Sequence, residues 1–202
     1  MKKKTIIIVV TLVMAVTLII CLAGCENSTV VGNTTAKPVF GIPADQITWV
    51  SWKPDVIDLL MNANSLNKIG ETGQMITITA GGIVGGNITF GNTVYVPPGA
   101  VPANTYIEVG VVCVDGKEQC GSGIDFLPNM QFLTDVKITL SWESVDVDSL
   151  NADDFEVFYS DDDGLSWFEI DDLEIDYDAM TIAVWQDHFT RYAWGLSISA
   201  NL

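Results

Sequence analysis

Apolar and polar positions divide the chain into stretches of different rhythm. Residues 5–24, TIIIVVTLVMAVTLIICLAG, are apolar almost without interruption and carry no charge. Residues 26–38, ENSTVVGNTTAKP, are rich in Ser, Thr and Asn and lack apolar periodicity, so they read as a flexible tether. From Thr72 a period of two takes over. MITITA, NTVYVPPGA, TYIEVGVVCV, VKITLSW, FEVFYS, LSWFEI, TIAVW and YAWGLSIS are short runs rich in β-branched and aromatic residues, each bounded by Gly, Pro, Asn or Asp. In VKITLSW, Val136, Ile138, Leu140 and Trp142 fall on one face, with Lys137, Thr139 and Ser141 on the other. That is the pattern of a half-buried antiparallel strand. These eight runs, with no helical stretch of useful length between them, predict an all-β, antiparallel two-sheet sandwich over residues 71–202.

Residues 39–70 follow neither rhythm. ADQITWVSWKPDVIDLLMNAN holds Trp49 and Trp52, then a short helical stretch ending around Asn62–Asn64. The pattern leaves open a first strand pair of the domain or a separate arm packed on the sandwich.

The apolar run at the start changes the meaning of everything after it. Lys2, Lys3 and Lys4 precede it, which makes a basic n-region before a hydrophobic h-region. Its length also suits a membrane-spanning helix. Its end, Leu22-Ala23-Gly24-Cys25, favours cleavage, because small residues let an extended backbone enter a peptidase cleft and a cysteine thiolate is the nucleophile that accepts a lipid. This stretch resembles the bacterial lipoprotein signal, whose lipobox reads Leu-Ala/Ser-Gly/Ala-Cys, and all four positions match. The resemblance implies a signal peptide over residues 1–24, a diacylglyceryl thioether on Cys25, and a tether over residues 25–38. Cleaved or retained as an anchor, the leader places the rest of the chain outside the cytoplasm and against a membrane. Two or more acyl chains give stable anchoring where one gives marginal binding.

Charge narrows the partners. The full chain has 9 basic and 26 acidic residues; loss of the three leader lysines leaves 6 against 26, a formal charge of −20. Such a surface repels nucleic acid and anionic head groups, so no nucleic-acid partner is expected. Sixteen of the 26 acids lie between Trp142 and His188, a span without Lys or Arg. A run like this usually coats a solvated face. It could also collect divalent cations, but neither the acids before Gly164 nor Asp146, Asp148, Asp153 and Asp154 match a standard calcium loop. Weak surface calcium binding is the most this spacing supports; no cofactor and no dedicated metal site are expected.

Cys113 and Cys120 flank VDGKEQ, in which Asp115-Gly116 is a strong turn signal. A four-residue loop from Asp115 to Glu118 would set Cys113 opposite Cys120, close enough to bridge in an oxidising compartment. Two free thiols are the alternative. Zinc does not fit, since His188 is the single histidine and no second ligand pair exists.

GGIVGGNITFGNTVYVPPGAVPANTYIEV, FLPNMQFLTDVKITLSW, FEVFYSDDDGLSWFEI and DHFTRYAWG follow in that order. This succession resembles the ZU-five domain of zonula-occludens proteins, netrin receptors and ankyrins, also found in bacterial lipoproteins, over roughly residues 71–198. Its most specific piece is Val96-Pro97-Pro98-Gly99-Ala100, where two prolines remove strand donors and Gly99 permits a tight reversal. The second is His188-Phe189 before a hydroxyl residue, where the family commonly has His-Phe-Ser and this chain has Thr190. The resemblance implies a β-sandwich serving as an interaction or spacer module, and it names no substrate.

Some members of that family cleave their own backbone at His-Phe-Ser. Here His188 would act as base and the Thr190 hydroxyl would attack the Phe189 carbonyl. The step also needs a strained peptide and an oxyanion partner. In the structural alternative His188 hydrogen-bonds a neighbouring loop, Phe189 packs in the core and Arg191 reaches the acidic face. Ser160-Asp161-Asp162-Asp163-Gly164-Leu165-Ser166-Trp167 fits the Asp-box pattern Ser-x-Asp-x-Gly-x-x-Trp, a structural hairpin. In it Asp162 would bond turn amides, Gly164 would be left-handed and Trp167 would pack beneath. The expected function is a non-enzymatic lipoprotein module for adhesion, assembly or spacing, with an envelope protein or glycan as partner. Single-turnover cleavage at Phe189-Thr190 is one alternative. A carbohydrate-binding module is another, and two or more of Trp49, Trp52, Trp167, Trp185 and Trp194 exposed on one face would favour it.

Overall fold

The computed structural model describes residues 41–62, 68–114, 120–147 and 155–196. The signal peptide, Cys25, the tether, Asp115-Gly116, Asp148, Asp153 and Asp154 lie outside the described residues. Twelve strands occur among the described residues: β1 (Ile42–Pro43), β2 (Lys68–Ile76), β3 (Gly82–Gly85), β4 (Thr93–Val96), β5 (Thr105–Cys113), β6 (Ser122–Leu127), β7 (Gln131–Ser141), β8 (Phe155–Ser160), β9 (Ser166–Glu169), β10 (Glu174–Asp176), β11 (Thr181–His188) and β12 (Arg191–Leu196). They form an all-β sandwich of two antiparallel sheets, ordered β1-β9-β8-β12-β6-β5-β2 and β10-β11-β7-β4-β3. Among the described residues one α-helix, α1 (Pro54–Asn62), precedes β2. No helix among the described residues is long and apolar enough to cross a membrane.

The core between the sheets is built by the period-two residues. Val136, Ile138 and Leu140 of β7 are buried against Ile107 and Val109 of β5 and Phe126 of β6. At about 25 cal/mol per Å² of apolar area, each such side chain contributes on the order of 2 kcal/mol on burial. Strand β12 departs from simple alternation, since Tyr192, Ala193, Trp194 and Gly195 are all buried. The cause is a second, smaller core on the outer face of the larger sheet. There Ala193, Phe158 and Trp167 are covered by Ile47 and Trp49, with Trp49 edge-on to Trp167 at 4.6 Å.

That second core settles the place of the N-terminal segment. Residues 41–62 are not a strand pair of their own; they pack on the sandwich, the second of the two expected arrangements, and extend into its core. β1 adds to the edge of β9, Trp49 bridges Gly195, and Val56 and Leu60 of α1 enter the main core. Trp52 is fully buried and its indole N–H donates to the Val112 carbonyl at 2.9 Å. The domain boundary drawn at residue 71 therefore falls inside β2. The alternation is masked there by an irregularity between Ile69 and Thr72, where Gly70 has φ +61 and a Cβ would meet the Ile88 carbonyl oxygen at 2.2 Å.

Other expectations also shift. MITITA is not one strand: β2 ends at Ile76 and the chain reverses, with Gly81 N–H bonded to the Thr77 carbonyl at 3.1 Å. The reversal meets the Val-Pro-Pro-Gly-Ala corner, where the Gly99 N–H donates to the Ile78 carbonyl. Cys113 and Cys120 are disulfide-bonded with their Cα atoms 4.6 Å apart, but Cys113 stands opposite Ser122 in the ladder rather than opposite Cys120. The physical reason is the N-terminal segment. The Val50 carbonyl accepts the Ser122 N–H at 2.8 Å and its hydroxyl at 2.7 Å, which pins β6 against residues 50–52 and moves the pairing by two positions.

Candidate functional site

Strand β11 ends, with a register irregularity between Gln186 and His188, where it approaches the β8–β9 turn and the start of β12. Phe189 is the hinge between β11 and β12. It is fully buried, its N–H donates to the Met130 carbonyl at 2.9 Å, and its ring lies edge-on to Phe132 at 4.5 Å. This burial turns His188 toward the rim and Thr190 inward, with His188 half-buried and Thr190 only 5% exposed.

Of the two side chains invoked for self-cleavage, Thr190 is engaged through its hydroxyl and His188 through Nδ1, while His188 Nε2 has no hydrogen-bond partner among the described residues. The Thr190 hydroxyl donates to the Ser160 carbonyl. The His188 ring holds Asp187 through Nδ1 at 2.8 Å, while Nε2 stands 3.2 Å from an Asp161 carboxylate oxygen. Hydrogen bonding from His188, aided by Gln131, keeps the Asp187 carboxyl below the usual carboxylate range despite partial desolvation. Tyr159 lies edge-on to the His188 ring at 5.8 Å. Behind it the Tyr192 hydroxyl is buried and has no hydrogen-bond partner among the described residues. Burial first, then the negative charges of Asp161 and Asp187, push its pKa up.

The Asp-box hairpin joining β8 to β9 is the other half of this cluster. Asp162 accepts hydrogen bonds from the Leu165 and Ser166 amides at 3.0 and 2.8 Å, and from the Ser160 and Ser166 hydroxyls at 2.8 and 2.5 Å. These bonds, led by the Ser166 hydroxyl, lower its pKa to about 2. Gly164 takes φ +90 and its carbonyl accepts the Trp167 indole N–H at 3.1 Å, with the Trp167 ring fully buried. The turn thus depends on a charged hub, a left-handed glycine and an aromatic floor.

Two motifs that lie apart in the sequence are one unit in the fold. Thr190 bonds the Ser160 carbonyl, His188 faces Asp161, and Arg191 Nη1 donates to the Asp163 carbonyl at 3.0 Å. The Arg191 fork also grips Asp125 with Nε at 2.5 Å and Nη2 at 3.2 Å, a bidentate pair. Sequence reading missed Asp125 and Asp161. The available signal for Asp125 was an acid inside the apolar run GIDFL, facing the chain's one arginine.

Of the five tryptophans proposed as sugar platforms, Trp49, Trp52, Trp167 and Trp194 are buried, and Trp185 is 46% exposed. Among the described residues no group of three or more His, Cys, Asp or Glu is arranged to hold a metal ion. None of the protein-family models compared with the chain matches it, and no curated protein matches it.

Proposed function

We propose that the chain is an extracytoplasmic, membrane-anchored lipoprotein whose ZU-five-like sandwich serves as a non-enzymatic interaction, adhesion or spacer module. The observation that carries this reading is the uncharged run of residues 5–24 ending in Leu22-Ala23-Gly24-Cys25, ahead of an acidic, strand-built body. A thiol at that position is where the acyl chains attach, and they hold the body at the bilayer surface. A disulfide between Cys113 and Cys120 accords with an oxidising compartment.

The non-enzymatic part of the reading is supported by the bonding of the cluster at His188. Self-cleavage needs a hydroxyl that a base can deprotonate. Thr190 commits its proton to the Ser160 carbonyl, and His188 bonds Asp187 through Nδ1, leaving Nε2 3.2 Å from an Asp161 carboxylate oxygen with no hydrogen-bond partner among the described residues. The arrangement is that of a joint between hairpins.

The test is metabolic labelling of the full chain with a radioactive fatty acid. The label is expected on the wild type and absent from the Cys25→Ser variant. Equal labelling of both, or of neither, would overturn the anchor.

A further inference from the structure

The outer edge of β11 is covered by β10 only where Glu174, Ile175 and Asp176 pair with Ala183, Ile182 and Thr181. On the N-terminal side of Glu174 the chain leaves β11 and crosses through residues 170–173 from β9 in the larger sheet. Val184, Trp185 and Gln186 pair with β7 on one side and, among the described residues, with no strand on the other. A cleft of about 700 Å³ opens beside that bare edge. This is the size of a site that accepts a small ligand or a few residues of extended chain.

The chemistry of the cleft selects its occupant. Unpaired N–H and C=O groups along a strand edge are a template for an added strand. Tyr159, Ile170 and Leu173 supply an apolar wall, while Asp171, Asp172 and Glu174 line the rim. No Lys or Arg occurs in residues 143–187, and the nearest base, Lys137, is already bonded to Glu174 at 2.7 Å. Trp185 leaves part of its ring exposed beside the acids, with Lys137 Nζ already 5.8 Å from its centroid, so what the ring offers a partner is apolar cover. The negative field is already crowded: the hydrogen bond that protonated Glu169 donates to Glu156, burial, and the charges of Glu156 and Asp171 push the Glu169 carboxyl up to about 7.

We infer that this cleft takes an extended segment of a partner polypeptide that carries Lys or Arg alternating with apolar residues, added as a strand along residues 184–186. Alternate side chains of such a strand point to opposite sides. One set reaches Asp171 and Asp172 and the other covers the wall of Tyr159 and Leu173. The site gives the proposed interaction module its partner class and rests on that reading only for the existence of a partner.

The experiment uses the full chain in detergent micelles, titrated against a fluorescein-labelled peptide alternating lysine and valine and followed by anisotropy. Saturable binding is expected. It should weaken about tenfold in the Asp171→Asn/Asp172→Asn variant, the ratio that two partly exposed ion pairs supply. It should also weaken in Trp185→Ala, and vanish when alternate peptide amides are N-methylated. Both aspartates are exposed, and a circular dichroism spectrum matching the wild type verifies that the variant is folded. Absence of binding, undiminished binding of the N-methylated peptide or of spermine, or displacement of the peptide by a neutral cello-oligosaccharide would each overturn the strand-addition site. Fatty-acid labelling of Cys25 is measured separately, so a lipidated chain that binds no peptide sinks the cleft and leaves the anchor standing.

Discussion

Asp162 shows how much one exposed side chain can organise when its bonds are all local. One carboxylate gathers two amides and two hydroxyls, and all of them prefer its charged form. Its pKa falls from 3.8 to about 2. A depressed carboxyl contributes stability above its unfolded pKa and loses that contribution as pH falls through its folded one. Asp162→Asn is therefore expected to lower the urea midpoint at neutral pH, with the gap to wild type closing between pH 3.8 and about 2. A gap that stays constant over that window would show that the charge plays no part. The roles of Asp162, Gly164 and Trp167 were legible in the sequence because every partner lies within seven positions of Ser160. The grip of Arg191 on Asp125 spans 66 positions and that of Thr190 on Ser160 spans 30, so no local pattern could announce them.

Strands were legible wherever one face met the core and the other met water. From Val136 to Leu140 β7 alternates with the inward residues the pattern named, but Ser141, read onto the polar face, is buried with its N–H donating to Asn92 Oδ1 at 2.9 Å. β3, β6 and β10 escaped for different reasons: β3 is half glycine, β6 carries Asp125 in its middle, and β10 is an acidic edge of three residues. β12 was recognised as a strand, but its burial on both faces required the N-terminal segment to be seen in place. The hairpin of β5 and β6 carries a prediction at this scale. Its disulfide closes a loop between residues seven positions apart, which in the chain-entropy account stabilises by roughly 2 kcal/mol. Cys113→Ser/Cys120→Ser should lower the unfolding free energy in urea by about that amount. Identical midpoints with and without reductant in the wild type would contradict the bond's contribution.

For the molecule as a whole, the sequence predicted a sandwich and an exported, tethered, acidic body, while the joint at His188 emerged only from the packing of two hairpins. The proposed anchor rests on residues 1–25 and the proposed lack of self-cleavage on the bonding of Thr190, so the function proposed unites two distant parts of the chain. One measurement addresses both: the intact mass of the protein purified from membranes of the cells that make it. A single species is expected, beginning at Cys25 and heavier than the unmodified polypeptide by a diacylglyceryl group, with or without a further acyl chain. An unlipidated chain that keeps its leader, or a pair of fragments meeting at Phe189 and Thr190, would contradict the account.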